Sequence, residues 1–281
     1  MKWKIVVDSG CDFKTVENLP EGVSFQNVPL TIQIGSEIFV DDEGLNIDQM
    51  METLYATKSS AGSSCPSPDA FLQAYQGAEN VIAMTITGSL SGSQNSAQLA
   101  KNLLLEENPV VNVHVIDSLS AGGEMDLIIL ELIRLIEAGL SFEEVVKAIT
   151  DYQSKTKLLF ILSKVDNLVK NGRLSKLVGK VVGLLNIRMV GEASSEGKLE
   201  LLQKARGQKK SVIIAVEELL KAGYKGGRVV IAHANNIKIC QQLAEKIQEK
   251  FPEAKVTFLA TSGLCSFYAE EGGVLLGYEI S

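Results

Sequence analysis

Along the chain, short continuous apolar blocks alternate with stretches of helical spacing. Residues 3–7 (WKIVV) predict a buried strand, and residues 29–34 with 37–40 predict a hairpin about Gly35 and Ser36. Residues 46–58 predict a helix, with Asn46 as the cap and Gln49 three residues later. Ser67 before Pro68 predicts another helix start, because serine caps and proline suits the first turn. The apolar block 81–86 predicts a strand feeding TGSLSGS (87–93), which runs into a helix ending near Glu107; residues 110–116 predict the next strand. This order of strand, loop, helix and strand implies right-handed crossovers and a parallel sheet.

Two helices follow at 122–137 and 141–155, the second opening with Ser141 and Glu144 in capping-box spacing. Beyond them the pattern predicts a strand at 157–163, helices over 164–184 and a hairpin over 187–205 about Ser195, Glu196 and Gly197. A helix at 208–222, a strand at 228–232, a helix at 236–250 and two terminal strands complete it. The fold class is therefore α/β with two domains. Residues 1–156 form an α/β/α unit with a mainly parallel sheet, and residues 157–281 form an α/β unit with a mixed, partly antiparallel sheet. No Gly/Pro linker marks the boundary, so the two are expected to pack tightly.

Three polar loops, DSGCD (8–12), TGSLSGS (87–93) and DSLSAGG (117–123), each follow a strand directly. Ligands of open α/β sheets bind beyond the carboxyl ends of the strands, so these loops define a candidate site. A further hydroxyl-rich loop, SSAGSSCPS (59–67), ends at a helix start.

Composition narrows the classes of function. With 281 residues, 46% hydrophobic and 22% charged, the chain is an ordinary folded protein. A net charge of -7 argues against general nucleic-acid binding, which needs an excess of Lys and Arg. Cys11, Cys65, Cys240 and Cys265 lack metal-ligand spacing, so no metal is expected and the thiols read as space-filling groups, with Cys11 and Cys65 near the candidate site. The stretch MKWKIVVDSG has only a short apolar run ending at Asp8, so a first strand and no signal peptide is expected. No run approaches the roughly 20 apolar residues of a membrane span, and a cytoplasmic location is expected.

What the hydroxyls do admits several answers. A nucleophilic serine lacks the GxSxG elbow, and the chain offers only His114, mid-strand, and His233, at a strand end, as bases. A nucleotide site lacks both the P-loop and GxGxxG. Hydroxyl donors and helix-end amides can instead hold a small anionic head, such as a carboxylate, in apolar surroundings. Helix caps and turns also use Ser and Gly.

At this point the motifs resemble a known family. VVDSGCDF (6–13), SSCPSP (63–68), SLSGSQNSA (89–97), VIDS (115–118), LSKVDNLVKNGRLSK (162–176), LLNIRMV (184–190), GKLELLQKARGQKK (197–210) and IAHANN (231–236) follow one another as in the DegV family of fatty-acid-binding proteins. The resemblance implies a two-domain α/β protein that encloses one long-chain fatty acid, with its carboxylate held by hydroxyls between the domains. In bacteria with a fatty acid kinase, it implies presentation of that carboxylate to a separate kinase subunit. By motif, the carboxylate-binding residues are Ser63, Ser64 and Ser91. Ser63 stands where the family usually has Thr, and Cys65 where it has Gln. Arg173 and Arg206 are implied contacts of the head region, an acyl phosphate, the kinase or an anionic lipid surface, with Lys176, Lys204, Lys209 and Lys210 beside them in sequence, and His233 is a further candidate headgroup or partner contact. The family's C-terminal carboxylate-binding His aligns with Glu270. Either Glu270 points away, or it shares a proton with the ligand, or the ligand head differs.

The leading expectation is thus a non-catalytic lipid carrier, monomeric, with no cofactor beyond its fatty acid and at most transient contact with membrane surfaces. The alternative is an enzyme acting on a small anionic substrate, carboxylate or phosphate, through Asp8, Asp117 and His233. A purely structural or regulatory module would leave the hydroxyl loops as caps and the interior empty or polar.

Overall fold

The computed structural model describes residues 2–175 and 186–280. The first strand, β1 (Trp3–Asp8), is buried on both faces, as its unbroken apolar run requires. β2 (Val23–Val28) pairs parallel beside it, and the hairpin β3 (Thr31–Ile34) and β4 (Glu37–Val40) follows as predicted. Helix α1 (Ile47–Ala56) is capped by the Asn46 side chain, which accepts from the Gln49 amide. The stretch read as a hydroxyl-rich loop is in part a strand, β5 (Ala61–Ser64), antiparallel to β3. Its small residues carry no apolar period, and the pairing comes from the partner strand.

Ser67 caps α2 (Pro68–Tyr75). β6 (Asn80–Thr85), α3 (Ser93–Glu107) and β7 (Asn112–Asp117) then build the crossovers. The resulting sheet, in order β2-β1-β6-β7, is parallel throughout. Helix α4 (Gly123–Glu137) and α5 (Phe142–Gln153) follow, α5 with the full Ser141–Glu144 capping box.

The second sheet begins with β8 (Thr156–Leu162), followed by α6 (Asp166–Lys170). Residues 176–184 of the helical stretch expected over 164–184, Lys176 among them, lie outside the described residues. β9 (Ile187–Ala193) and β10 (Leu199–Arg206) form the expected hairpin, then come α7 (Gly207–Lys221), β11 (Arg228–His233), α8 (Ile237–Gln248) and β12 (Lys255–Ala260). A short helix, α9 (Gly263–Ala269), precedes β13 (Val274–Glu279) and was not anticipated between the two terminal strands. The strand order is β10-β9-β8-β13-β11-β12, antiparallel except for β11 with β12.

Three features lock the halves together. Helix α4 packs Met125, Ile128 and Leu132 into the core under the parallel sheet and also lies against β8, β11 and β13 of the mixed sheet. The approach is at backbone distance: a Cβ on Gly277 would stand 2.3 Å from the Gly123 carbonyl oxygen. The tip of the β9–β10 hairpin sits on the TGSLSGS loop, where Ser89 Oγ donates to the Glu196 carbonyl and Gly197, at φ +71°, lies against Thr87. Finally, Asp41 accepts from the Gly263 and Leu264 amides at 2.8 Å each, tying the small β4-β3-β5 sheet to the start of α9.

Candidate functional site

Between the halves lies a cavity of about 380 Å³. Alternation along β8 turns Leu158, Phe160 and Leu162 to one face, and these side chains, with Leu275 of β13, form much of its wall. Leu30, Ile86 and Ala121 close it from the parallel-sheet side, and α9 adds Leu264, Cys265, Tyr268 and Ala269. An apolar interior of this kind is opposite to what a bare structural module predicts.

The polar lining comes from Ser63, Ser64 and Cys65, from Ser91, from Arg173 and from Tyr268. These groups are joined to one another. Ser63 Oγ lies 2.9 Å from Tyr268 Oη. Arg173 Nε donates to the Leu90 carbonyl at 3.2 Å, its Nη1 donates to the Asn171 carbonyl at 2.6 Å, and its guanidinium stands 5.9 Å from the Tyr268 ring centre. Asn171 Nδ2 in turn donates to the Ala61 carbonyl of β5. Ser91 Oγ accepts from the Ser93 amide at 3.2 Å and lies 3.0 Å from Ser93 Oγ. Chemically, this is an apolar container edged by hydroxyl donors and one guanidinium, a set suited to a carboxylate on a long apolar body.

The remaining residues singled out in the sequence fall elsewhere. Arg206 is exposed at the end of β10, outside the cavity lining. His233 faces a separate groove between α1 and the ends of β11 and β12. Its Nδ1 accepts from the Asn236 amide at 3.1 Å, and burial lowers its pKa. Glu270 is buried at the end of α9 with φ +54°, and its Oε1 accepts from the Asn167 amide in the first turn of α6. Glu270 thus caps α6 and is not among the residues that line the cavity, with burial raising its pKa.

Asp8 and Asp117 also serve the loops around them. Asp8 Oδ1 accepts from the Gly10 and Ile86 amides at 2.9 Å each, and Asp117 accepts from Gly88 and Leu119. His114 is half-buried within β7, where burial lowers its pKa. Of the thiols, Cys65 is exposed at the rim, whereas burial pushes Cys11 and Cys265 well up and Cys240 to about 12.

Sequence reasoning did not find the cavity wall. Leu158, Phe160, Leu162 and Leu275 lie in strands apolar on both faces, so nothing in the pattern separates a cavity-facing leucine from a packed one. Tyr268 and Cys265 were hidden with α9.

Comparison with known proteins agrees with this architecture. A DegV domain-containing protein of Streptococcus pyogenes serotype M1 is 68% identical over 280 residues, covering all of both chains. The Streptococcus pneumoniae Fatty Acid Kinase (Fak) B3 protein, whose crystal structure is loaded with linoleic acid, is 65% identical over the full length of both chains with a TM-score of 0.99. A DegV family protein from Eubacterium eligens, loaded with heptadecanoic acid, is 39% identical, covers 99% of this chain and 100% of its own, and has a TM-score of 0.95. The family model described as "Uncharacterised protein, DegV family" matches residues 2–279, and the chain therefore belongs to the DegV family.

Proposed function

We propose that this protein is a cytoplasmic, non-catalytic lipid carrier that encloses one long-chain fatty acid and presents its carboxylate to a separate fatty acid kinase. The observation that carries the reading is the apolar cavity of about 380 Å³ edged by Ser63, Ser64, Ser91 and Arg173. Burying an acyl chain stabilises by about 0.8 kcal/mol per methylene, so roughly 14 methylenes contribute on the order of 11 kcal/mol before ordering costs. The hydroxyls satisfy the carboxylate without being costly to bury themselves, and Arg173 supplies the opposite charge. Similarity to proteins holding linoleic and heptadecanoic acids supports the same ligand class. In this reading Glu270 takes no part in head binding because it caps α6, and Arg206 is free to meet the kinase. Domains 1–156 and 157–281 are the two walls of the container.

Mass spectrometry of the purified protein, intact under native conditions and then after organic extraction, tests this. One fatty acid per chain is expected. A protein that is empty and takes up no added fatty acid would refute it and favour the small-substrate enzyme.

A further inference from the structure

Among the hydroxyls at the cavity edge, that of Ser63 takes its direction from the other half of the molecule. The Ser63 backbone is held by the pairing of β5 with β3, where it stands opposite Ile32. Its side chain has one hydrogen-bond partner among the described residues, Tyr268 of α9, with Ser63 Oγ 2.9 Å from Tyr268 Oη across 205 positions of sequence. Ser91 differs, because the amide and hydroxyl of Ser93 fix its oxygen locally. Ser64 is exposed.

Tyr268 is itself firmly placed. Its ring meets Phe267 edge-on, with centroids 4.8 Å apart at 78°, and Phe267 is completely buried. The Arg173 guanidinium stands 5.9 Å from the ring centre, within the range of cation–π attraction. Asp41 holds the start of α9 through the Gly263 and Leu264 amides. Glu270, two residues beyond, is bound to α6, so the phenol of Tyr268 is the hydroxyl that α9 brings to the cavity.

We propose that Tyr268 is a positioning residue for the bound carboxylate: its phenol donates to Ser63 and so leaves the Ser63 proton for the ligand. The inference rests on the fatty-acid reading above. The two hydroxyls hold two protons and use one between them, so one O–H remains for an acceptor. A phenol is the better donor and an aliphatic alcohol the better acceptor, so the bond runs from Tyr268 to Ser63. With its oxygen engaged in this way, Ser63 turns its hydrogen to the cavity before the ligand arrives. Without the phenol the Ser63 hydroxyl rotates freely, and aligning it on a carboxylate costs rotational entropy as well as the lost bond. A carboxylate only accepts, and so depends on that alignment. An alcohol head donates as well as accepts, and so does not. The pair therefore selects an ionised head over a neutral one of the same chain length.

Calorimetric titration with hexadecanoate and with hexadecanol at one pH reads the Kd of each. Tyr268→Phe keeps the ring against Phe267 and Arg173 and removes only the hydroxyl. It should weaken hexadecanoate by about 5- to 10-fold, leave hexadecanol within about twofold, and leave thermal unfolding unchanged. Ser63→Ala should weaken hexadecanoate about tenfold. The double variant should lose no more than Ser63→Ala alone, because Tyr268 acts through Ser63. Native hexadecanoate affinity in Tyr268→Phe, or an equal loss for both ligands, overturns the inference. So do losses that multiply in the double variant, which would put the phenol itself on the ligand. All three leave the carrier reading intact. If the native protein binds neither hexadecanoate nor hexadecanol, the carrier reading falls and this inference with it.

Discussion

Asp41→Ala tests how the two halves hold the cavity wall in place. Asp41 is completely buried, its two oxygens accept from consecutive amides at the start of α9, and Lys14 pairs with it at 2.9 Å. Hydrogen bonds to a charged acceptor contribute about 1.5–3 kcal/mol each, which gives roughly 3–6 kcal/mol for two. Burying the carboxylate offsets part of that, and it raises the Asp41 pKa despite Lys14. Loss of one partner of a buried charged set typically costs ~3–5 kcal/mol, and that is the expected destabilisation. At about 2–4 °C per kcal/mol for a chain of this size class, Tm should fall by roughly 10 °C. The assay is urea unfolding followed by circular dichroism, with Lys14→Met as companion. Because the Lys14 side chain is partly exposed, its removal should cost clearly less. Since α9 lines the cavity, Asp41→Ala should also release bound fatty acid faster. A cost below about 1 kcal/mol, or one no larger than that of Lys14→Met, would refute the view that amide capping by Asp41 secures α9.

Other outcomes follow from the same geometry. Ser63→Ala and Ser91→Ala should each weaken fatty-acid retention by about tenfold, read by extraction and mass spectrometry, with unchanged circular dichroism; full retention in both would remove these serines from the head site. Gly277→Ala would set a Cβ 2.3 Å from the Gly123 carbonyl oxygen and 2.4 Å from the Glu124 nitrogen, so it should destabilise by about 3 kcal/mol or more in urea unfolding. Burial raises Asp8 to about 6 and Glu124 to about 7, and raises the neighbouring buried pair Asp12 and Asp126 as well. The folded state therefore binds more protons than the unfolded chain above about pH 4, and stability should fall as pH rises from there to about 7. A urea midpoint higher at pH 8 than at pH 5 would contradict this.

Much of the fold could be read from the chain because its strongest signals are local. The buried runs of β1 and β6, the caps Asn46, Ser67 and Ser141, and the turn at Ser195–Gly197 each act within a few residues. What escaped depends on partners distant in sequence. β2 (VSFQNV) alternates half-buried with exposed positions but offers only three apolar residues, and it is a strand because β1 pairs with it; β5 consists of small residues and is a strand because β3 does so. α9 is only seven residues long, and its first amides are bound by Asp41 from across the molecule. The site divides in the same way. Ser63, Ser64, Ser91 and Arg173 could be named from motifs, whereas the direction of Glu270 depended on a left-handed backbone and an amide of α6 over 100 residues earlier.

The position of β13 has a consequence for how the molecule is made. This strand lies inside the mixed sheet, between β8 and β11, yet the ribosome delivers it after every other strand of that sheet. Until it emerges, β8 and β11 each lack a neighbour, and α4 lacks its close backbone contact at Gly277. The parallel sheet has all its strands long before, so synthesis should pass through a stage with one half formed and the other waiting, at about 5–20 residues per second. The cavity wall supplied by α9 and Leu275 arrives in the same closing stretch. A nascent chain therefore has no container for a lipid, and loading is an event of the finished protein.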